Sequence, residues 1–418
     1  MTEALRLAVF DDSTSISVLP FFEIARAYCS IVWVIGWSPK KHPTRLLSRF
    51  GEVADVTGMT DAEALEYLTS LQLDGVVVFN DPPIRLAAAV AERLGLRFHS
   101  RHTAQLLTDK LAQRTALHDA GLPVPAFAPV RHGEAAAGVP FPAVLKPRAG
   151  AGSRATFSVH SAEEVADALA TCDPEEEFIL EEWLPDRSDA HGLACDIVSV
   201  ESVARDGVIE HLMVTGRFPF APPFRETGLF MPSDFDEADK VAVTDLTGLA
   251  LKAVGVREGL LHTEIKMTPY GPRIVEINGR LGGSLNQLMD RIGGPSLHAW
   301  AVQLALGGDI GPVPVLPESP VAFFHQVQAP QFATEVVSIE GLDTLAALPG
   351  VQQVQVKRPP GSMLDSKKGG VADHVVKIDG LVASHHELLL LNQKIASTLQ
   401  FTWRYQNQTE GSSARVSA

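Results

Sequence analysis

The chain has 418 residues, of which 45% are apolar and 20% charged, and a formal charge of −15. That length predicts about two to three domains with well-buried cores, and the composition is that of an ordinary soluble globular protein. The acidic balance argues against nucleic acid or an anionic membrane as the main partner, because both need a basic face.

The chain opens Met-Thr-Glu-Ala-Leu-Arg, with no positively charged leader, and no apolar run approaches the ~18 residues of a membrane span. Cys29, Cys172 and Cys195 are widely spaced, which suits neither a disulfide framework nor a thiolate zinc site. A soluble cytoplasmic protein is therefore expected.

Leu5 to Phe10 is a short apolar run entering the polar stretch Asp11 to Ser17, and Pro20 to Tyr28 has helical spacing. Further runs, Ile31 to Gly36 and Val76 to Phe79, follow; the latter ends at Asn80-Asp81-Pro82-Pro83 before a helix, Ile84 to Leu94, closed by Gly95. Buried strands alternating with helices predict a doubly wound parallel sheet over residues 1–100. No Gly-x-Gly-x-x-Gly follows a strand, which weakens a dinucleotide reading. Asp11 to Ser17 and Asn80-Asp81 stand where such sheets bind ligands, at the carboxyl ends of strands, though turn chemistry accounts for the same residues.

Thr108-Asp109-Lys110 opens an amphipathic helix through Asp119 that ends at Ala120-Gly121. From Phe141 the chain reads as a strand ending in Lys146, a small-residue loop with Gly150, Gly152 and Ser153, and a second strand to Phe157. Glycines let backbone N–H groups approach phosphate oxygens and the lysine adds a point charge, although a hairpin turn also needs glycine. After the helix Ala162 to Ala170, Phe178 begins a strand that runs into Glu181-Glu182-Trp183-Leu184. Its extended backbone offers the donor and acceptor pattern that adenine pairs with, and Trp183 and Leu184 offer an apolar wall.

Strands are expected at Cys195 to Ala204 and Val208 to Val214, around an Asp-Gly turn. Gly216 to Gly228 is too proline-rich for regular structure and reads as a binding loop, with Arg217, Arg225 and Glu226 as substrate candidates. A helix from Ala238 to Val254 leads into the segment Leu260 to Gly283, two alternating runs about a Thr-Pro-Tyr-Gly-Pro turn.

If that hairpin turns at Tyr270, His262, Glu264 and Lys266 share one face of the first strand, and Ile274, Glu276, Asn278 and Arg280 share one face of the second. Glu264 and Glu276 then stand directly opposite, which destabilises a sheet unless something positive lies between them. Two carboxylates and the amide oxygen of Asn278 make an all-oxygen set suited to magnesium or manganese, with Arg280 placed to hold a developing negative charge. A solvated hairpin with scattered charges is the competing reading. Gly282-Gly283-Ser-Leu-Asn286 opens a further helix, whose free N–H groups suit an anion such as a carboxylate or acyl phosphate.

Gly311 to Pro320 reads as a linker into a smaller α+β domain, 318–405, with strands at Val321 to Val327, Val351 to Val356 and Val375 to Ile378 and a helix from Glu387 to Thr398. His385-His386 reads as a surface pair rather than a metal site. Residues 406–418 are polar and read as a flexible tail.

Lys110, Lys146 with its glycine loop, the Glu181 to Leu184 hinge, Glu264, and Glu276-x-Asn278-x-Arg280 occur in an order that resembles the ATP-grasp ligases, over 101–310 with a lid at about 141–186. His-Thr-Glu-Ile-Lys at 262–266, Gly-Pro-Arg-Ile-Val-Glu-Ile-Asn-Gly-Arg at 271–280 and the loop from Phe224 to Gly228 are most similar to the L-amino acid ligases. The resemblance implies an ATP-grasp fold behind the N-terminal domain, and a carboxylate-amine ligase using ATP and Mg2+ (or Mn2+). Lys110 and Lys146 would then bind phosphates, Glu181, Glu182, Trp183 and Leu184 would frame adenine, and Glu264, Glu276 and Asn278 would hold metal.

Arg280 is the implied catalytic residue, and Arg217, Arg225, Glu226, Gly282, Gly283 and Asn286 the substrate set. Expected partners are a small carboxylate and an amine, amino acids among them, with no nucleic acid or membrane, and a homodimer is compatible. Relatives carry Gly-x-Glu-aromatic after the hinge, where this chain has Cys195 to Ser199; Asp196 is the nearest acid, and Asp186 and Asp189 are the ribose candidates. Two alternatives stand beside this reading: a carboxylase-type enzyme activating bicarbonate, and a nucleotide-binding regulator without turnover. Joint retention of Glu264, Glu276, Asn278 and Arg280 disfavours the regulator.

Overall fold

The computed structural model describes residues 4–10, 16–37, 44–133, 138–187, 193, 195–364 and 374–405, together with the backbone of 414–417. Asp11 to Ser15 and Asp189 lie outside the described residues. The N-terminal sheet is parallel, in the order Glu52–Asp55, Ser30–Ile35, Arg6–Phe10, Gly75–Val78. Its strands are apolar at successive positions because both faces are covered. Leu7, Val9, Ile31 and Trp33 pack with Phe21 and the helix Leu297–Ala305, and Ala8, Phe10, Val32 and Val34 pack with Ile84–Leu94 on the opposite face. The edge strand Glu52–Asp55 has no counterpart in the sequence reading, since only Ala54 of its four residues is buried and no apolar run marks it.

The helix expected from Thr108 starts at Lys110, and a separate helix, Arg101–Thr108, precedes it. Between them Asp109 is extended, and its carboxylate accepts from the N–H groups of Leu111 and Ala112 while pairing with Arg148. This cap sets Lys110 at the first helical position. An antiparallel sheet follows, ordered Phe127–Val130, Phe178–Glu182, Ala143–Pro147, Phe157–Val159, with the helix Ala162–Ala170 supplying Val165 and Leu169 to its core.

The central sheet has eight strands in the order Gly271–Asn278, Gly259–Thr268, Ile197–Arg205, Val208–Arg217, Gly228–Met231, Val321–Gln328, His374–Val382, Val351–Val356. The segment read as a smaller C-terminal domain therefore adds three strands to this sheet. Two strands unmarked in the sequence reading, Ala333–Glu340 and Gln400–Tyr405, form a separate small sheet with Ala414–Ser417, so the tail read as flexible ends in a strand. The helix Glu237–Ala253 covers one face of the central sheet through Val243, Leu246, Ala250 and Leu251, leaving the opposite face to the site. Among the described residues no helix is long and apolar enough to cross a membrane.

The proline-rich loop hands over to the sheet at Gly228, whose φ is +132° and where an added Cβ would lie 2.1 Å from the carbonyl oxygen of Phe324. Neither the backbone conformation nor that close approach tolerates a side chain. Gly228→Ala is expected to lower the unfolding free energy by at least about 3 kcal/mol, read from the denaturant midpoint.

Candidate active site

The hairpin pairs Glu264 with Glu276, Thr263 with Ile277 and His262 with Asn278, the register expected from a turn at Tyr270. Leu261, Ile265 and Met267 join the helix-side core, whereas His262, Glu264 and Lys266 line a cavity of about 830 Å³. The second strand departs from simple alternation. A bulge opposite Glu264 and Ile265 moves Ile274 onto the core face with Ile277, so Ile274 does not share a face with Glu276. The inserted residue is Val275, and one extra residue reverses the parity of everything before it.

The facing acids each have a fixed cation. Glu276 Oε1 lies 2.8 Å from Lys110 Nζ, which also donates to the Gly150 carbonyl at 2.7 Å. Glu264 Oε1 accepts from Arg217 at 2.9 Å, and the same guanidinium reaches Ser199 Oγ at 3.0 Å and Glu226 at 3.1 Å. Behind them His262 meets Glu201 at 3.0 Å. Burial alone would raise the Glu264 carboxyl, but Arg217 and the His262 imidazole hold it far below the usual range. Burial likewise opposes the charged His262, yet Glu201 lifts it to about 9. The remedy for two opposed acids is thus already partly built from protein cations, which the sequence reading assigned to metal alone.

On the lid side Glu181 is buried between Lys146, at 2.8 Å, and Arg114, at 3.0 Å. Arg114 also donates to the carbonyls of Ile274 and Val275 at 2.8 and 3.0 Å, so one guanidinium ties the lid strand to the bulge. The sequence reading missed Arg114; the signal available was a basic residue on the helix opened by Lys110. The hinge backbone is less free than expected. Glu182 N donates to Ala126 O, Trp183 N donates to Pro142 O, and the Glu182 carboxylate accepts from Ala126 N, so these groups hold the lid sheet together. The wall expected from Trp183 and Leu184 is extended by Phe220 and Phe224, with the Trp183 and Phe224 rings 5.8 Å apart.

Lys110, Lys146, Gly150, Gly152, Ser153, Glu181, Glu182, Trp183, Leu184, Arg217, Glu226, Glu264, Glu276, Arg280 and Gly283 all line the one cavity. Arg280 pairs with Asp81 at 2.8 Å, which brings the carboxyl end of an N-terminal strand to the site, and lies 3.4 Å from Asn278 Oδ1. Asn278 is buried and donates to the His262 carbonyl.

Arg225, Asn286 and Gly282 are placed otherwise. Arg225 is buried and braces its own loop through the carbonyls of Pro222 and Ala329. Asn286 donates to Asp290 and accepts from His298 N, and an added Cβ on Gly282 would meet Leu285 and His262, so both are packing positions. The helix that contains Asn286, Leu285–Arg291, has seven residues and a left-handed Ser284 with no capping bond, a poor anion site. Asp196 accepts from Arg187 N, Asp186 pairs with Lys266 at 2.6 Å, and His385 contacts the Pro232 carbonyl. Among the described residues no three His, Cys, Asp or Glu side chains converge as a metal cage.

No family model matches the chain. It is 25% identical to the L-arginine-specific L-amino acid ligase of Bacillus subtilis, over 77% of this chain and 79% of that protein. It is 31% identical to carnosine synthase 1 of Gallus gallus over 52% of this chain, and that match spans only 24% of the longer relative. The crystal structure of L-amino acid ligase from Bacillus licheniformis superposes with a TM-score of 0.78 at 18% identity, covering 97% of this chain and 100% of that one.

Because Glu181 is held down to about 2 by Arg114 and Lys146 against the opposing effect of burial, its ionised form stabilises the fold fully above pH 4.5, and that contribution fades as pH falls towards 2. Glu181→Gln is expected to cost about 3 kcal/mol at neutral pH, with the gap to wild type narrowing on acidification, measured by denaturant titration at stepped pH. The chain therefore has the fold of the Bacillus licheniformis L-amino acid ligase, and its sequence is similar to those of an L-amino acid ligase and a carnosine synthase.

Proposed function

We propose that the chain is an ATP-dependent carboxylate-amine ligase that forms an amide or peptide bond through an acyl phosphate. The observation that carries this reading is the convergence of Glu264, Glu276, Arg280, Lys110 and Lys146 on one cavity between the lid and the central sheet. Lys110, Lys146 and the Gly150 to Ser153 loop bind the phosphates, and the Trp183, Leu184 and Phe224 wall receives the base. Glu264 and Glu276, in direct cross-strand register on the cavity wall, offer oxygen alone, donors that fit magnesium, while Asn278, two residues on, is buried behind the lining. When bound, the ion screens phosphate charge as Lys110 and Arg217 now screen the acids.

A carboxylate oxygen attacks the γ-phosphorus, the bond to the bridging oxygen of ADP breaks, and an acyl phosphate forms. The amine nitrogen then attacks the acyl carbon, the bond to phosphate breaks, and the amine gives up a proton. Such chemistry is mainly positioning and charge neutralisation, which Arg280 supplies at the acyl phosphate. The named ligases among its relatives favour amino acids as substrates over bicarbonate. Three unpaired cysteines agree with a reducing cytoplasm.

Incubation with ATP and magnesium across pairs of amino acids is expected to release ADP and phosphate and to give a dipeptide by mass spectrometry. ATP binding with no ADP from any acid and amine would instead favour a regulator. Glu276→Gln is expected to lower kcat at least about 100-fold with a near-native melting temperature, and unchanged turnover would remove Glu276 from the metal set.

A further inference from the structure

The cavity has a second charged wall that the proposed nucleotide and metal positions do not use. Gln326 and Lys377 are directly paired across neighbouring antiparallel strands and both line the cavity. Directly opposed residues hold their Cβ atoms about 5 Å apart, so an amide and an ammonium are presented side by side.

Gln326 has an acceptor without a donor, and the Lys377 charge is only partly compensated. Gln326 is 7% exposed and its Oε1 has no hydrogen-bond partner. A buried acceptor left without a donor is costly, and a native fold accounts for each such group. Lys377 Nζ meets Ser284 Oγ at 3.1 Å and Asp379 at 3.4 Å, and it sits 4.8 Å above the Phe324 ring. Lys110 and Lys377 differ in compensation. Glu276 lifts the Lys110 ammonium against burial, whereas burial holds Lys377 below its ordinary value, Asp379 compensating only in part and Lys357 and Arg291 adding repulsion. An anion arriving at Lys377 meets a desolvated, positively biased spot.

Resting on the ligase reading, we propose that the Gln326–Lys377 pair is the receptor for the amine substrate and selects an α-amino acid. Lys377 holds its carboxylate, and Gln326 Oε1 accepts one amine hydrogen, leaving the nitrogen lone pair free to attack. An α-amino acid carries carboxylate and amine on one carbon, a separation that a single cross-strand pair can span. Ser284, bonded to Lys377, lies four residues after Arg280, so the Cα atoms of Arg280 and Ser284 are at most roughly 14 Å apart, and Arg280 and Lys377 line one cavity. An amino acid held at Lys377 thus lies in the same cavity as the acyl group assigned to Arg280.

The test uses the full chain with its best amino acid pair, the amine substrate being offered as the acid, as its carboxamide and as the decarboxylated amine. Wild type is expected to show at least a 10-fold higher KM for the carboxamide and the decarboxylated amine than for the acid. Lys377→Met is expected to raise the amine-substrate KM for the acid at least 10-fold, with kcat and the acyl-substrate KM within about twofold, and to leave the carboxamide unchanged. Gln326→Ala should raise KM for acid and carboxamide alike. Equal use of acid and carboxamide by wild type, or a Lys377→Met defect confined to the acyl substrate or to kcat, overturns the proposal. If neither variant folds, the comparison within wild type decides. Absence of ADP with every pair overturns the ligase reading itself; calorimetric binding of the amino acid panel to the ADP-loaded chain then separately supports the receptor if Lys377→Met abolishes it, and overturns it if not.

Discussion

Two carboxylates placed opposite one another in a hairpin are the constraint around which the cavity is arranged. Glu264 and Glu276 repel across a distance set by strand pairing, and each is matched by a cation from another part of the fold. Lys110 comes from a helix whose start is fixed by the Asp109 cap, and Arg217 from the strand that leads into the proline-rich loop. Neither cation is on the hairpin, so the opposed acids draw the helix, the lid loop and the central sheet to one place. The same arrangement is open to a nucleotide and a hard cation in the proposed reaction, because the compensating side chains line the cavity wall and do not form a closed cage.

A second convergence holds the lid. Arg114 joins Glu181 to the carbonyls of Ile274 and Val275 at the bulge, on the edge strand of the central sheet, where no further strand among the described residues donates to them. The irregularity that brings Ile274 to the core thus lies where the edge-strand carbonyls anchor the residue that orients the lid glutamate. Burying three charged groups there is tolerable because Glu181 pairs with both Lys146 and Arg114 and Arg114 is further hydrogen-bonded to backbone carbonyls.

The sequence revealed most where a local rule is strict. Period-two alternation and a Pro-Gly turn sufficed to pair Glu264 with Glu276, and continuous apolar runs marked three of the four N-terminal strands. The bulge was not legible, since Val275 is as good a strand residue as its neighbours and nothing local marks it as inserted. Arg225 and Asn286 looked like substrate residues for their setting beside polar, glycine-rich stretches, yet backbone groups of neighbouring segments also need partners, and these two side chains serve that need at the Ala329 carbonyl and the His298 N–H. Pairing between strands distant in sequence was the largest omission. Nothing in Val321 to Val327 tells a strand of a new domain from one that extends an earlier sheet, since the partner, Gly228–Met231, is about ninety residues upstream.

That last junction bears on how the chain can be cut. Gly228–Met231 is apolar along its length and buried, with Val321–Gln328 hydrogen-bonded along its outer side. A shortened protein ending near Gly311 would retain Glu264, Glu276 and Arg280 but expose this row of unpaired N–H and C=O groups, beside Phe230 and Met231, to any other extended chain. The C-terminal quarter of the molecule is in this sense a guard against self-association as much as a wall of the cavity.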